Sequence, residues 1–369
     1  MSKKTAIILG NYKDEAERHL DECLASLRAQ DYAGEIKIYI YDNETSERSF
    51  AYIAAHAPEA VIIRNATNDG FAKGNNDGMK LALRNGADYI ILFNTDMVTD
   101  RACVRKMIEA LEKIQADAAR TGEAPAGAVQ ARLMLHPETE KVNSLGNVTH
   151  FLGFGYCLGY NEVYTPGQAP LPAGPERFEN IAYPAGAAVL FAREALERAG
   201  LFDEEFWMYN EDQDLGWRLW LAGYRCVLAP DAVAYHKYQF SKSIAKYYWM
   251  DRNRLIVILK NYRWSTLFLI LPALIIMEFG LLLFAAKGGW LKEKTDVYRY
   301  FLNLKHWRYI MRRRRETQAL RKAKDGDIIT MFTGRIWYQE IDDWKLRLAN
   351  PAFAAYWRFV LKIISVLKI

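Results

Sequence analysis

Short apolar runs alternate with helical patterns through the N-terminal part of the sequence, and this alternation restricts the possible folds more than any other feature. The predicted strands cover residues 5–10, 35–41, 60–64 and 89–93, and predicted helices cover residues 16–30 and 74–85. Strands that alternate with helices predict an α/β fold with a mainly parallel, doubly wound sheet. Such a sheet binds ligands at the carboxyl ends of its strands, so the loops after the strands should meet on one rim. These loops lie at Asn11, Asp42, Asn68 and Asn94.

The middle of the sequence predicts less regular structure followed by two further strands. Residues 117–177 are rich in Gly, Pro and small residues, which is typical of loops and irregular strands. Strand-like runs follow at residues 181–191 and 226–235.

Composition limits the possible functions of the protein and the cellular compartment in which it works. The formal net charge is +5 and 51% of the residues are hydrophobic, which does not favour a nucleic-acid-binding protein. None of the four cysteines has the CxxC spacing of a zinc site, and their scatter argues against a disulfide framework. A reducing, cytosolic environment fits this pattern best.

A nearly continuous apolar run at residues 265–286 is long enough to cross a bilayer, for which about 20 residues suffice. An amphipathic helix is predicted before it, at residues 241–262. Pro272 and Glu278 interrupt the run, and a charge near the middle of a membrane is unfavourable by at least a few kcal/mol. This favours an in-plane or re-entrant helix, or a helix pair, over a single span. A buried core helix is the alternative.

Basic residues follow the apolar run at residues 305–324, with consecutive arginines at 312–315. Such residues are expected to contact anionic headgroups at the cytoplasmic face of a membrane, although a solvated basic face explains them as well. Residues 356–369 predict a second interfacial helix. The sequence thus predicts an α/β domain over residues 1–250 and a helical, membrane-associated region over residues 251–369.

Three carboxylates, Glu211, Asp212 and Asp214, lie between aromatic residues in the segment FWMYNEDQDLGWR at residues 206–218. Carboxylates in an apolar setting lose hydration, so they need partners, a metal ion or raised pKa values that suit proton transfer. A simple helix start explains the same pattern, with Asn210 as the N-cap and the acids near the positive end of the helix dipole.

Two further carboxylates follow predicted strands. Asp96, in FNTDMV, lies where a carboxylate can hold Mg²⁺ or Mn²⁺ against a diphosphate. Asp42, in IYIYDNETSE, lies where it can accept a hydrogen bond from the imide N–H of a pyrimidine. Turn formation or helix capping explains both residues on local grounds as well.

Glycines in the segment NATNDGFAKGNNDGM allow the backbone to approach a ligand, and the N-terminal amides of the following helix can face a phosphate. No GxGxxG fingerprint or Gly-rich loop follows the first strand, which disfavours a dinucleotide-binding site.

Together these motifs resemble glycosyltransferase family 2, the inverting enzymes with a GT-A fold. The resemblance covers about residues 4–255. It rests on residues 11–12 (NY), 42–43 (DN), 70–76 (GFAKGNN), 94–96 (NTD) and 211–223 (EDQDLGWRLWLAG). The order of the motifs also resembles the rhamnosyltransferase-like branch, in which an NxD segment commonly replaces the DxD pair.

The resemblance implies a role for each of these positions. Asp42 would contact the nucleobase, Asp96 would help bind a divalent metal ion and the diphosphate, and Asp212 would be the catalytic base. Glu211 is the adjacent candidate and would orient the acceptor or the loop. The nucleotide-sugar site would comprise Asn11, Tyr12, Asp42, Asn43, Asn68, Gly70, Phe71, Asn75, Asn94, Thr95 and Gly186.

His236, Asp214 and Gly186 can each be explained by a purely structural role as well. His236 would complete the metal shell, since imidazole is a competent Mn²⁺ ligand, but a satisfied core or loop histidine is the alternative. Asp214 is expected to pair with Arg218, four residues on, at the helix surface. Gly186 would line the donor sugar and acceptor, or serve packing.

The implied activity is that of an inverting glycosyltransferase that uses a nucleotide-diphospho-sugar and Mn²⁺ or Mg²⁺. We expect it at the cytoplasmic side of the membrane, with a lipid-linked saccharide as acceptor in cell-surface polysaccharide biosynthesis. dTDP-rhamnose is the first expectation for the donor, ahead of UDP-galactose, UDP-glucose and UDP-N-acetylglucosamine. The alternatives are a sugar-nucleotide nucleotidyltransferase, which would need a Gly-rich basic loop after the first strand, and an inactive membrane-surface scaffold.

Overall fold

A mixed sheet of ten strands forms the centre of the molecule. The computed structural model describes residues 3–165, 179–237, 245–336 and 344–369. The first residues of the helix predicted at 241–262 and the end of the loop-rich region predicted at 117–177 lie outside the described residues.

Twelve strands are described. They are β1 (Lys4–Tyr12), β2 (Glu35–Asn43), β3 (Val61–Asn65), β4 (Tyr89–Asn94), β5 (Met97–Thr99), β6 (Ala126–Leu135), β7 (Val142–Ser144), β8 (Asn147–Thr149), β9 (Gly155–Cys157), β10 (Glu179–Asn180), β11 (Ala188–Ala192) and β12 (Arg225–His236). The main sheet has the order β10, β12, β6, β11, β4, β1, β2, β3, with β5 beside β12 and β7 beside β6. β8 and β9 form a separate pair.

The four strands predicted in the N-terminal part are confirmed, and they are parallel to one another. β1 lies between β2 and β4, and in this register Asn11 pairs with Asp42 while Gly10 pairs with Asn94. The order of the chain around β1 reverses here, which is the kind of position where open α/β sheets bind ligands. β11 runs antiparallel between β4 and β6, so the sheet is mixed.

In the described ranges, twelve α-helices flank or extend this sheet. They are α1 (Ala16–Arg28), α2 (Glu47–His56), α3 (Gly70–Arg84), α4 (Cys103–Thr121), α5 (Arg193–Ala199), α6 (Glu211–Leu221), α7 (Ala245–Asn261), α8 (Trp264–Gly288), α9 (Leu291–Leu302), α10 (Leu304–Ala319), α11 (Asp325–Ile328) and α12 (Trp344–Leu367). Short 3₁₀ turns lie at Glu204–Phe206 and Ile329–Met331. α3 packs on β1, β2 and β4, and α4 packs on β6, β11 and β12.

The predictions for residues 117–191 need correction. α4 continues to Thr121, and β6, which was expected to be irregular, is a long strand between β11 and β12. Both faces of β6 are covered, so its small and apolar residues show no alternation from which a strand could be recognised. The strand predicted at 181–191 shortens to β11, at Ala188–Ala192.

A second hydrophobic cluster joins the C-terminal helices to α6. Trp217 of α6 meets Tyr262 edge to face with ring centroids 4.6 Å apart, and Phe151 stacks on Trp357 of α12 at 4.9 Å. The division into two parts at residue 250 therefore falls inside α7, and it stays a prediction.

Among the described residues, α8 is the one helix that is long and apolar enough to cross a membrane. One side of α8 packs on the protein through Ile270 and Ala273, while the other side exposes Phe268 and Ile275 to solvent. Length and composition alone make α8 weak evidence for membrane association.

A buried ionic cluster connects α6 to α7 and α10. Lys260 of α7 is fully buried, pairs with Asp203, and places Nζ 3.0 Å from Oδ2 of Asp214. Arg218 donates from Nε to the same Asp214 oxygen at 2.8 Å. The expectation of a surface pair between Asp214 and Arg218 is wrong, because both side chains are buried.

Replacing Lys260 with Met should destabilise the protein strongly, because two buried carboxylates lose their shared cation. Breaking a buried ion pair lowers the free energy of unfolding by about 3–5 kcal/mol, which chemical denaturation would measure. Lys80→Met is the matched control, since Lys80 is 45% exposed and forms a surface pair with Glu204. Its loss should be about 1 kcal/mol or less. Equal small losses in both variants would contradict the structural importance of this cluster.

Candidate functional site

The ends of β1 and β2 place an amide and a carboxylate side by side. Nδ2 of Asn11 donates to Oδ1 of Asp42 at 2.7 Å and to the carbonyl of Lys13 at 3.0 Å. Asp42 is fully buried, and its Oδ2 has no hydrogen-bond partner among the described residues. Burial raises the pKa of Asp42. A buried oxygen without a partner at this rim can accept a hydrogen bond from a ligand N–H.

The neighbouring positions form a polar rim around this pair. Asn43 follows Asp42 at the end of β2 and donates from Nδ2 to the carbonyl of Gly70 at 3.3 Å. Tyr12 lies opposite Asn43 in the register, and Asn94 lies opposite Gly10. The structure therefore brings the predicted rim residues of β1, β2 and β4 together.

The glycine segment begins α3 beside Trp207. Gly70 has a φ of +82°, and a Cβ there would lie 2.5 Å from the Trp207 ring, so both backbone and space require glycine. Oδ1 of Asn68 accepts from the N–H of Gly70 at 3.0 Å. Asn75, also expected in the nucleotide-sugar site, donates from Nδ2 to the hydroxyl of Tyr41 at 3.1 Å. Its amide is thus engaged inside the protein.

Asp96 and His236 face each other across the turn after β4. Oδ1 of Asp96 lies 3.2 Å from Nε2 of His236, and Nδ1 of His236 lies 3.0 Å from Oδ1 of Asn143. Burial opposes ionisation of Asp96, but His236 outweighs this effect and lowers the pKa of Asp96 overall. Thr95 donates its hydroxyl to the carbonyl of Gly10 at 3.0 Å, which fixes the turn.

The spacing of Asp96 and His236 fits two ligands of one divalent cation. Adjacent ligands of an octahedral Mg²⁺, at about 2.1 Å from the ion, lie about 3 Å apart. The described part of the chain contains no group of three or more His, Cys, Asp or Glu side chains placed to hold a metal. Two protein ligands fit an ion that completes its coordination with phosphate and water.

Asp212 lies in the first turn of α6, against the loop before β11. Its Oδ2 accepts from the N–H of Gly186 at 3.2 Å, and its Oδ1 accepts from the N–H of Gln213 at 2.7 Å. A Cβ at Gly186 would lie 3.1 Å from the Phe71 ring, so this close approach also needs glycine. Asp212 is partly exposed, and burial raises its pKa to about 6. The structure thus joins three predicted site residues around one carboxylate.

Glu211 differs from its neighbour in environment. It is buried, and its Oε2 has no hydrogen-bond partner among the described residues. Burial, and then the charge of Asp212, raise the pKa of Glu211 well above its ordinary value. At neutral pH Asp212 is mostly ionised, whereas Glu211 keeps its proton to a higher pH than an ordinary glutamate does. Two carboxyls with separated pKa values are suited to different roles.

The loop before α6 is strained. Trp207, Tyr209 and Asn210 all have positive φ angles, of 60°, 69° and 66°, and each such residue is unfavourable by about 1–3 kcal/mol unless its surroundings hold it. Asn253 of α7 holds the loop, because its Nδ2 lies 2.7–2.9 Å from three loop carbonyls. Asn210 does not cap α6, since its side chain donates to Gln213 instead.

Asn253 is a residue that sequence reasoning missed. It lies in the DRNR segment of the predicted amphipathic helix, and a polar residue between aromatic and aliphatic runs was the available signal. Arg252, its neighbour, donates to the carbonyl of Glu205 and supports the same loop.

The N-terminal part of the chain is similar to a known protein family. The sequence model for glycosyl transferase family 2 matches residues 7–164. The search of curated proteins gives no match. Similar folds occur in solved structures, and the three described next are each less than 25% identical to this chain, so they bear on the fold alone.

The similar structures differ in how much of each chain is shared. S. aureus TarS 1-349 in complex with UDP has a TM-score of 0.50 and 13% identity, over 97% of this chain and 90% of that one. GalNAc-T7 with UDP, GalNAc and Mn²⁺ has a TM-score of 0.50 and 13% identity, over 70% of this chain and 48% of that one. A second S. aureus TarS structure has a TM-score of 0.48 and 15% identity, over 74% and 43%.

This chain thus spans less than half the length of two of these three structures. The family match begins within β1 and ends after β9, so it contains the rim of Asp42 and the turn of Asp96. Residues 7–164 therefore match the sequence model of glycosyl transferase family 2, within a chain that has the GT-A fold.

Proposed function

We propose that this protein transfers a sugar from a nucleotide-diphospho-sugar to an acceptor hydroxyl with inversion, and that Asp212 is the general base. The observation that supports this most is the environment of Asp212. The residue is partly exposed, its carboxylate accepts a hydrogen bond from the N–H of Gly186, and burial raises its pKa to about 6. A base with a pKa near neutrality can accept a proton during the reaction and lose it afterwards.

We assign Asp42 the contact with the nucleobase of the nucleotide-sugar donor. Its unpartnered Oδ2 can accept the imide N–H that uracil and thymine share. dTDP-rhamnose stays the first candidate donor because of the resemblance to the rhamnosyltransferase-like branch. UDP-sugars are the second candidates, since the TarS and GalNAc-T7 structures contain UDP.

Asp96 and His236 are the proposed holders of Mn²⁺ or Mg²⁺. A divalent cation supplies positive charge for the departing diphosphate. The role of the two side chains is to fix its place at the end of β4, beside the nucleotide rim. The Mn²⁺ in the GalNAc-T7 structure supports this assignment.

Asp212 and Glu211 divide the work on the acceptor side. Asp212 takes the proton of the attacking hydroxyl, while Glu211, whose pKa is raised by burial, orients the acceptor or the loop. Single displacement at the anomeric carbon needs one base and one stabilised leaving group, and these residues with Asp96 provide both.

The acceptor is proposed to be a lipid-linked saccharide. A groove of about 120 Å³ is lined by Asn210 beside the base and by Leu281, Phe284 and Trp290 at the end of α8. The groove is polar near the strained loop and apolar along α8. A lipid-linked saccharide also has a polar part and an apolar part, so its saccharide would lie at the loop and its hydrocarbon chain against α8.

This acceptor requires the protein to lie at a membrane, and we propose the cytoplasmic side. Glu278 of α8 pairs with Lys294 at 2.6 Å and with Arg254 inside the protein, so one face of α8 is fixed to α7 and α9. A helix with one face fixed to the protein and the other exposed and apolar is suited to lie in the membrane interface. The proposed arrangement is peripheral or re-entrant rather than a single span.

A panel of nucleotide-sugars with Mn²⁺, Mg²⁺ or EDTA tests the proposed reaction. Release of nucleoside diphosphate should occur with one pyrimidine nucleotide-sugar and be abolished by EDTA. Addition of a polyprenyl-linked saccharide should stimulate the release more than the same saccharide without its lipid. If no nucleotide-sugar released its nucleoside diphosphate with either metal ion, the protein would instead be an inactive membrane-surface scaffold.

Replacing Asp212 with Asn should lower the rate constant of transfer by about 10²–10⁴-fold, the range that general-base catalysis contributes. Binding of the nucleoside diphosphate, measured by titration calorimetry, should stay unchanged because Asp42 and Asp96 are intact. Asp117→Asn, at an exposed position on α4, is the control and should transfer at the parent rate. Unchanged transfer by Asp212→Asn would exclude the base role.

The rate of transfer at saturating substrate should also depend on pH. Asp212 acts as a base when it is ionised, and its pKa is raised to about 6. The rate should therefore be level above that pH and fall about tenfold for each pH unit below it. Stopped or coupled assays of diphosphate release between pH 4.5 and 8 would measure this profile. A rate that stays level down to pH 4.5 would contradict the assignment.

A further inference from the structure

Four arginines surround an open depression where α7 ends and α8 begins. The depression has a volume of about 680 Å³ and is lined by Arg263, Trp264, Met311, Arg314, Arg315, Gln318 and Arg321. We call it the arginine pocket. Among the described residues, no carboxylate lines it.

Two of the arginines are fixed by the fold. Arg314 donates to the carbonyls of Leu259 at 2.5 Å and Tyr262 at 2.6 Å, and its guanidinium lies 4.0 Å from the centre of the Trp264 ring. Arg321 pairs with the buried Asp325 at 2.6 Å. The carbonyls of Leu259 and Tyr262 carry no net negative charge, so Arg314 has no ion-pair partner among the described residues, and the nearby Asp325 is already paired with Arg321.

The other two arginines are exposed at the edge of the pocket. The guanidinium groups of Arg263 and Arg315 form no hydrogen bond or ion pair with the described residues. Asp325 is the one carboxylate that contacts any of the four arginines among those residues. Burial and the nearby Arg321 lower the pKa of Arg314 to about 10, which still leaves it charged at neutral pH. The pocket therefore carries an excess of positive charge that a bound anion would relieve.

Guanidinium groups match the chemistry of a phosphate. Their planar N–H groups bind phosphate oxygens in pairs, which is why arginine is preferred where phosphates are recognised. Here Arg314 and Arg321 are held in place, while Arg263 and Arg315 are free to close on a ligand. The pocket is thus partly preorganised for a phosphate group.

An apolar stripe begins at the same pocket. Trp264 lines the pocket and is 59% exposed, and the exposed face of α8 continues through Phe268, Leu271 and Ile275, at 75%, 43% and 60%. These positions are separated by three or four residues and so lie on one face of the helix. A soluble phosphate would occupy the pocket and leave the stripe uncovered. A phospholipid would cover both.

We propose that the arginine pocket binds the headgroup phosphate of an anionic membrane lipid, with the acyl chains along the exposed face of α8. This inference rests on the membrane association in the proposed function. The pocket is separate from the acceptor groove, which is at the other end of α8, because Trp264 and Phe284 are about 30 Å apart along a helix. Two contacts at the two ends of α8 would hold the helix parallel to the membrane surface and keep the acceptor groove at the lipid.

Vesicle co-sedimentation of the full chain tests this proposal. Vesicles of phosphatidylcholine with phosphatidylglycerol should bind the protein at least tenfold more tightly than vesicles of phosphatidylcholine alone. The double variant Arg263→Gln, Arg315→Gln should lose more than tenfold of this binding, because each arginine near an anionic surface contributes a factor of about five. Both side chains lack structural partners, so the variant should keep the thermal stability of the parent.

The matched control is the double variant Arg299→Gln, Arg312→Gln, which removes the same charge from exposed positions outside the pocket. This control variant should bind the vesicles that contain phosphatidylglycerol less than threefold more weakly than the parent does. An equal loss in both variants, or equal binding to both kinds of vesicle, would overturn the proposal of a specific site. Displacement of the protein from vesicles by millimolar inorganic phosphate would instead assign the pocket to a soluble anion and overturn the lipid.

The enzymatic proposal is tested separately in the same preparation. Asp212→Asn should bind the vesicles as the parent does, so a failure of transfer leaves the lipid result intact. Loss of vesicle selectivity with normal diphosphate release would contradict the lipid site while the enzyme assignment stands.

Discussion

The structure depends on the burial of one ammonium group, that of Lys260, between the carboxylates of Asp203 and Asp214. Asp214 lies two residues after Asp212 on α6, so its ion pairs fix the side of the helix that faces away from Gly186. Burial of an ion pair is weak evidence for stability, but the pairing restricts how α6 can sit. A charge on α7 therefore helps to determine the orientation of Asp212, from the opposite side of α6.

α7 supports the site at a second point. Asn253 binds three carbonyls of the strained loop that leads into α6, and the next residue, Arg254, pairs with Asp251 and with Glu278 of α8. Positive φ angles in three residues persist because these hydrogen bonds outweigh the local strain. Two successive residues of α7, Asn253 and Arg254, thus connect the loop before Asp212 to the apolar helix α8.

The sequence predicted the N-terminal half of the fold well for a physical reason. β1 to β4 are bounded by polar loops, and their alternation with helices leaves few possible topologies. β6 was missed because both of its faces are buried and its small residues give no periodic signal. Asp42, Asp96 and Asp212 could be proposed from strand ends and local motifs. The contacts of Asn253 and Lys260 could not be predicted, because their partners lie 44 or more residues away in the chain.

The same long-range contacts show why pairing Asp214 with Arg218 on a helix surface was a reasonable but wrong expectation. A spacing of four residues predicts that the side chains meet, and they do. The spacing carries no information about what covers the two side chains. Here Lys260 and Asn261 of α7 contact Asp214, and Arg218 donates to the carbonyls of Ala199 and Leu201, so the pair is buried.

The position of α7 has an evolutionary and practical consequence. Because Asn253 and Lys260 support the surroundings of Asp212, a hybrid protein joined near residue 250 would give α6 and the loop before it a foreign supporting helix. Such hybrids should be joined after Asn261, where α7 ends, so that the helix is inherited together with the carboxylates it positions. α8 and the helices that follow could then be exchanged while α7 keeps its contacts with α6 and with the loop before it.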